Sequence, residues 1–169
     1  KPKDYDEWYN LVYEFTCHII ERYGLEEVRT WYFEVWNEPN LKCFWSADQA
    51  EYFKLYKTSV TAVRAVCDEY KVGGPATATC SWVTDIIDYC TDNNLPLDFV
   101  STHLYPQDEY CIYKTRENSP YEQVGDYFIE EVKKVKEKVA ASKRPDLPIY
   151  WTEFNTLSSD SAKHITFLN

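Results

Sequence analysis

Apolar residues recur three or four positions apart over about Asp6–Tyr23, where Trp8, Val12, Phe15, Ile19 and Tyr23 would share one face of a helix. Gly24 then offers the left-handed backbone that closes a helix without steric cost. An aromatic and β-branched run, about Trp31–Trp36, predicts a strand. Ser46-Ala47-Asp48-Gln49 has the spacing of a capping box, and the helix it opens would bury Phe53, Tyr56, Val60, Val63, Cys67 and Tyr70. A second strand, about Lys71–Gly74, enters a turn at Gly74-Pro75. A helix over about Trp82–Asn93 follows, with Val83, Ile86, Ile87 and Cys90 facing inward. The third strand is about Asp98–Leu104, and the polar stretch Tyr105–Ser119 is the longest loop. Ser119-Pro120-Tyr121-Glu122 joins an N-cap serine, a proline at the first helical position and a glutamate at the third. That helix runs to about Ser142 with Val124, Phe128, Val132, Val135 and Val139 along one side. Pro145 and Pro148 bracket a last turn before a fourth strand, about Ile149–Glu153.

The order α-β-α-β-α-β-α-β, with no hairpin dipeptide between strands, implies an α/β fold of parallel strands joined by right-handed crossovers. A doubly wound sheet and a barrel both satisfy it. Periodicity does not choose between them.

At 169 residues the chain predicts one domain. It is long enough for a core, yet short of the ~250 residues of a complete eight-fold βα barrel. Its formal net charge of −10 argues against a nucleic-acid partner, whose phosphates are met by clustered cations, and equally against an anionic membrane surface. No apolar run approaches the ~20 residues of a membrane span, and no signal-peptide pattern opens the chain. A soluble globular piece is expected. The opening Lys1-Pro2-Lys3 and the absence of Met make a segment of a longer polypeptide the expectation. Cys17, Cys43, Cys67, Cys80, Cys90 and Cys111 show neither Cys-x-x-Cys nor zinc spacing. Since Cys17, Cys67 and Cys90 fall in helical patterns, free thiols and a reducing, cytoplasmic location are expected, with a disulfide framework as the alternative. Aromatics reach 17 %; rings with polar tips suit the C–H faces and hydroxyl edges of sugars, and serve core packing equally.

Glu38 and Glu153 each sit just past an apolar strand. In parallel α/β folds the C-terminal strand ends form the ligand face, and two carboxyls flanking a bond are the minimum apparatus for glycoside hydrolysis. Either glutamate alone would read as a capping or ion-pairing group; the pair, in aromatic surroundings, points to chemistry. Glu34, mid-strand and on the same side as Trp36, could point into a barrel interior, with a structural ion pair expected rather than catalysis, and His18 is expected in a structural role on the first helix. Cys43 places a thiol near the same strand end. Gly73-Gly74-Pro75 is too short for a nucleotide or phosphate fingerprint, which argues against a flavodoxin-like domain; neither a cofactor nor a metal is expected.

Trp36-Asn37-Glu38-Pro39-Asn40 resembles the Asn-Glu-Pro motif after the fourth barrel strand in the large clan of retaining glycosidases. The longer stretch Trp31–Lys42 is similar to glycoside hydrolase family 39, the β-xylosidases and α-L-iduronidases. Val72–Ala78 is similar to that family's fifth strand, Phe99–Tyr105 to its sixth and Pro148–Asn155 to its seventh, in order and at matching spacing. The resemblance implies that residues 1–169 are a single incomplete catalytic-barrel segment. It would be a partial (β/α)8 TIM barrel carrying strands four to seven and lacking strands one to three, strand eight and the family's appended β-domain. It further implies Glu38 as general acid/base and Glu153 as nucleophile of a retaining mechanism in the parent. Asn37 would bond the sugar 2-hydroxyl, and His103 and Tyr105 would line the same subsite, Tyr105 orienting Glu153. The stretch Ser158–Asn169, with His164, would run over the same face. A β-xyloside or xylo-oligosaccharide is the implied substrate. An α-L-iduronidase-like glycosidase, or a sugar-binding or structural half-barrel without turnover, are the alternatives. Two open strand edges and an exposed apolar face predict self-association of the segment.

Overall fold

A computed structural model describes residues 1–105 and 120–154, with side chains from 127 onward in the second stretch. The loop after the third strand, Cys111, the Ser119 cap, Asn155 and the Ser158–Asn169 stretch with His164 lie outside the described residues. Helix α1 spans Tyr5–Tyr23; the Asp4 carboxylate accepts from the Asp6 and Glu7 N–H groups, and Gly24, at φ 87°, ends it. Its inward face differs from the predicted stripe. Thr16 is buried while Phe15 is 57 % exposed. The buried Thr16 hydroxyl is satisfied by donating to the Val12 carbonyl at 2.8 Å. His18 is exposed. A four-residue helix that the periodicity does not reveal, α2 (Leu25–Val28), tucks Val28 into the core.

Strand β1 (Tyr32–Glu34) leads to helix α3 (Gln49–Val66). The residue that caps α3 is Asp48 rather than Ser46, its carboxylate accepting from the Glu51 N–H at 2.9 Å. An anion at this end also complements the helix dipole. Cys67 follows the helix as extended backbone, and Tyr70, fully buried, enters β2 (Lys71–Thr77). β2 therefore continues through Gly74-Pro75 instead of turning there. A one-turn 3-10 helix (Ala78–Cys80), α4 (Val83–Asp92), β3 (Phe99–Leu104), α5 (Pro120–Ala140) and β4 (Ile149–Phe154) complete the order.

The four strands pair in parallel in sequence order, β1-β2-β3-β4, as the alternation predicts. Helices cover one face, where Tyr52, Tyr56, Val60, Ile86, Ile87 and Val100 form the buried layer. On the other face Tyr32, Phe99 and Tyr150 meet with ring centroids 5.3–5.5 Å apart. In a flat sheet β1 and β4, three strand spacings apart, would be separated by about 14 Å. Contact between Tyr32 and Tyr150 therefore requires the sheet to curl, giving half of a (β/α)8 barrel with its interior layer open. Among the described residues no helix is long and apolar enough to cross a membrane, and Cys17, Cys43, Cys67, Cys80 and Cys90 are free thiols.

Candidate active site

The chain leaves β1 through Val35, whose N–H still donates to the Gly73 carbonyl at 3.1 Å. Trp36 then takes φ 72° and Glu38 φ 44°, left-handed backbone that costs a residue with a side chain. The Trp36 ring packs against Trp45 and Trp8, and its indole N–H donates to the Phe44 carbonyl at 3.2 Å. Glu38 is held to the next strand by its N–H, which donates to the Ala76 carbonyl at 2.8 Å. Ala76 is the surplus residue where the β2–β3 register shifts between Pro75 and Thr77. A bulge there leaves its carbonyl to Glu38.

A second bulge places the other carboxylate. Thr102 faces Trp151 and His103 faces Glu153, so Thr152 is surplus in β4. Strict alternation would send Tyr150 and Thr152 to the concave face and Glu153 to the helix side; the extra residue turns Glu153 toward His103 instead. Period-two reasoning cannot foresee this. Thr152 itself donates to Glu34 Oε1 at 2.8 Å across the barrel interior. Glu34 is thus met by a hydroxyl, where an ion pair was expected, and among the described residues it has no salt bridge.

Glu38 is 8 % exposed and His103 1 %. The His103 Nδ1 lies 3.0 Å from Glu38 Oε1 and 3.6 Å from Glu153 Oε2. The Tyr105 hydroxyl donates to Glu153 Oε2 at 3.1 Å. One polar atom each of Glu38, His103 and Glu153 thus falls within 4.8 Å of the others. The group is two carboxyls placed about one imidazole nitrogen. Asn37, half-buried beside Glu38, lines an open depression of about 320 Å³ with Trp36 and Phe44. Cys43 is exposed. Behind the site the buried Cys80 thiol lies 3.7 Å from the His103 carbonyl. The structure thus brings together Glu38, Glu153, His103 and Tyr105, while Asn37 lines the separate depression with Trp36 and Phe44. The Ala76 carbonyl and the Thr152 bulge, which position the two glutamates, have no signature in residue type.

Residues 1–165 match the model of the glycosyl hydrolases family 39. A β-xylosidase of Caldicellulosiruptor saccharolyticus is 45 % identical over 94 % of this chain and 32 % of its own length. A β-xylosidase of Geobacillus stearothermophilus is 44 % identical over 99 % of this chain and 34 % of its own. The solved structure of a family 39 β-xylosidase from Caulobacter crescentus superposes with a TM-score of 0.78 at 39 % identity, covering 92 % of this chain and 31 % of that one. The chain spans about a third of the length of the curated relatives it matches. Strand-end motifs, a curled parallel sheet and a match along nearly every residue agree, and the chain belongs to glycosyl hydrolase family 39.

Proposed function

We propose that the protein carrying this chain is a retaining glycoside hydrolase acting on β-xylosides. One observation carries the reading: one carboxylate oxygen of Glu38, just past β1, and one of Glu153, in β4, lie within 4.8 Å of each other around His103. A retaining displacement calls for carboxyls ~5–5.5 Å apart, whereas an inverting one needs ~6.5–9.5 Å to seat a water. In this reading Glu153 attacks the anomeric carbon while Glu38 gives its proton to the glycosidic oxygen. The bond to the leaving alcohol breaks and a covalent glycosyl-enzyme forms. Glu38, now a carboxylate, takes a proton from water as that water attacks the same carbon, releasing the sugar and restoring both side chains.

The Tyr105 hydrogen bond engages one oxygen of Glu153 and leaves the other for the sugar. His103, almost wholly buried, orients Glu38 rather than lining the subsite. Asn37 is the group for the sugar 2-hydroxyl. The β-xyloside substrate, in preference to an iduronide, rests on the relatives at 45 % and 44 % identity, both named β-xylosidases.

Kinetics of the full-length protein on aryl β-xylosides test this. Glu153→Ala should abolish turnover of every substrate, and azide should restore it with inverted product. Glu38→Ala should lose about 10²–10⁴-fold on a poor leaving group and far less in the first step on dinitrophenyl xyloside, which needs no proton. Azide should then give a retained product. Equal losses on both substrates, without azide rescue in either variant, would reverse the assignment.

A further inference from the structure

Glu38 is held in an unfavourable left-handed conformation, and what opposes its relaxation is visible two residues on. The Asn40 amide makes a two-point contact with the backbone of Ala78: its Nδ2 donates to the Ala78 carbonyl at 3.0 Å, and its Oδ1 accepts from the Ala78 N–H at 3.0 Å. Such a pair satisfies the N–H and the C=O of one residue, on two successive peptide units, with a single planar side chain. The surroundings need holding. Trp36, Glu38, Ala76, Thr79 and Cys80 all have φ between 44° and 72°. None is a glycine; Trp36 and Glu38 follow β1, Ala76 is the bulge residue near the end of β2, and Thr79 and Cys80 follow β2. Non-glycine residues in this region persist where neighbouring structure over-determines them. Between the two strained segments run the Glu38 N–H to Ala76 carbonyl bond and the Asn40 contacts with Ala78.

We propose that Asn40 is a positioning residue for Glu38: it clamps the segment after β1 to the segment after β2 and so keeps the Glu38 carboxyl at the His103 imidazole. The Asn40 side chain bonds the Ala78 backbone and not the Glu38 carboxyl or the His103 ring, so it acts through the backbone. The inference rests on the acid/base reading of Glu38. If the clamp fails, Glu38 relaxes toward ordinary backbone geometry and its carboxyl moves away from the glycosidic oxygen, while Glu153, on β4, stays where its bulge and Tyr105 hold it. Proton donation then suffers and nucleophilic attack does not.

The experiment compares Asn40→Ala, Glu38→Ala and the double variant in the full-length protein, on dinitrophenyl and phenyl β-xylosides. Asn40→Asp serves as a milder second variant, since it keeps the acceptor for the Ala78 N–H and loses the donor. Thermal unfolding reports that each variant is folded. Asn40→Ala should lower kcat/KM about 10–100-fold on the phenyl substrate and only a few-fold on the dinitrophenyl one. Asn40→Asp should show the same bias to a smaller extent. In the Glu38→Ala background the Asn40 substitution should add almost nothing, as expected of two residues acting as a unit. An Asn40 loss equal on both substrates, or undiminished when Glu38 is already alanine, overturns the inference while leaving Glu38 as the acid. A Glu38→Ala loss that is itself independent of the leaving group overturns the acid/base reading, and the clamp with it.

Discussion

Burial sets the chemistry of Cys80 and Cys90. It pushes the Cys80 thiol up to about 11 and that of Cys90 up to about 12. The unfolded chain releases these protons near ~8.5 while the fold retains them. Their contribution to stability is therefore complete below about pH 8.5 and is lost as pH rises toward the folded values. Tyr52 and Tyr56, buried and raised for the same reason, add in the same direction at higher pH. The denaturant midpoint should fall steadily above about pH 9. At pH 8 a thiol reagent should modify the exposed Cys43 in the folded protein and reach Cys80 and Cys90 only on unfolding; equal rates at all three would contradict this placement. At the same scale, Glu38 and Glu153 are legible in the sequence because each ends an apolar run inside a recognisable motif. The burial of His103 is not, since a histidine in Ser101-Thr102-His103 carries no mark of which neighbour will claim its ring nitrogen. Asn40 lies within the Asn-Glu-Pro-Asn stretch, yet its partner Ala78 is 38 residues away, a pairing that only the fold creates.

Among the elements, β2 departs furthest from expectation, and Gly73 explains how it can sit where it does. A Cβ on Gly73 would lie 2.5 Å from the Phe99 carbonyl oxygen and 2.6 Å from its ring. Gly73 thus permits close approach of β3 rather than marking the end of a strand. Gly73→Ala should cost about 1–3 kcal/mol, the range for overpacking a filled interior, measured as a drop in denaturant midpoint at unchanged m-value; an unaffected midpoint would mean that β2 and β3 part easily. Elements whose burial follows one unbroken face are read well from the chain. The inward set Val83, Ile86, Ile87 and Cys90 of α4 is buried as its spacing predicts. Where a small polar residue replaces a large apolar one, as Thr16 does for Phe15 on α1, periodicity picks the wrong neighbour. The bulges at Ala76 and Thr152 are invisible to a period of two, and they aim both glutamates.

For the molecule as a whole, the curl of the sheet is what makes a site. It brings β1 and β4 side chains into contact at Tyr32 and Tyr150 and at Glu34 and Thr152. It also leaves Tyr32 49 % and Tyr150 38 % exposed on the concave face, beside the outer edges of β1 and β4. The isolated 169-residue polypeptide should therefore associate through this layer and these edges. Sedimentation at micromolar concentration should show species larger than a monomer. A clean monomer with no dye-accessible apolar surface would contradict that expectation.

The central claim is that Glu153 attacks and Glu38 handles the proton, and trapping the covalent species tests it most directly. A 2-deoxy-2-fluoro-β-xylosyl fluoride carries an electron-withdrawing group that slows both steps, and a fluoride leaving group that needs little acid assistance. The glycosyl-enzyme should therefore accumulate. Peptide mass spectrometry of the treated full-length protein should find one fluoroxylosyl group, on the peptide containing Glu153. A label on Glu38, or turnover with inversion and no label, would contradict the account.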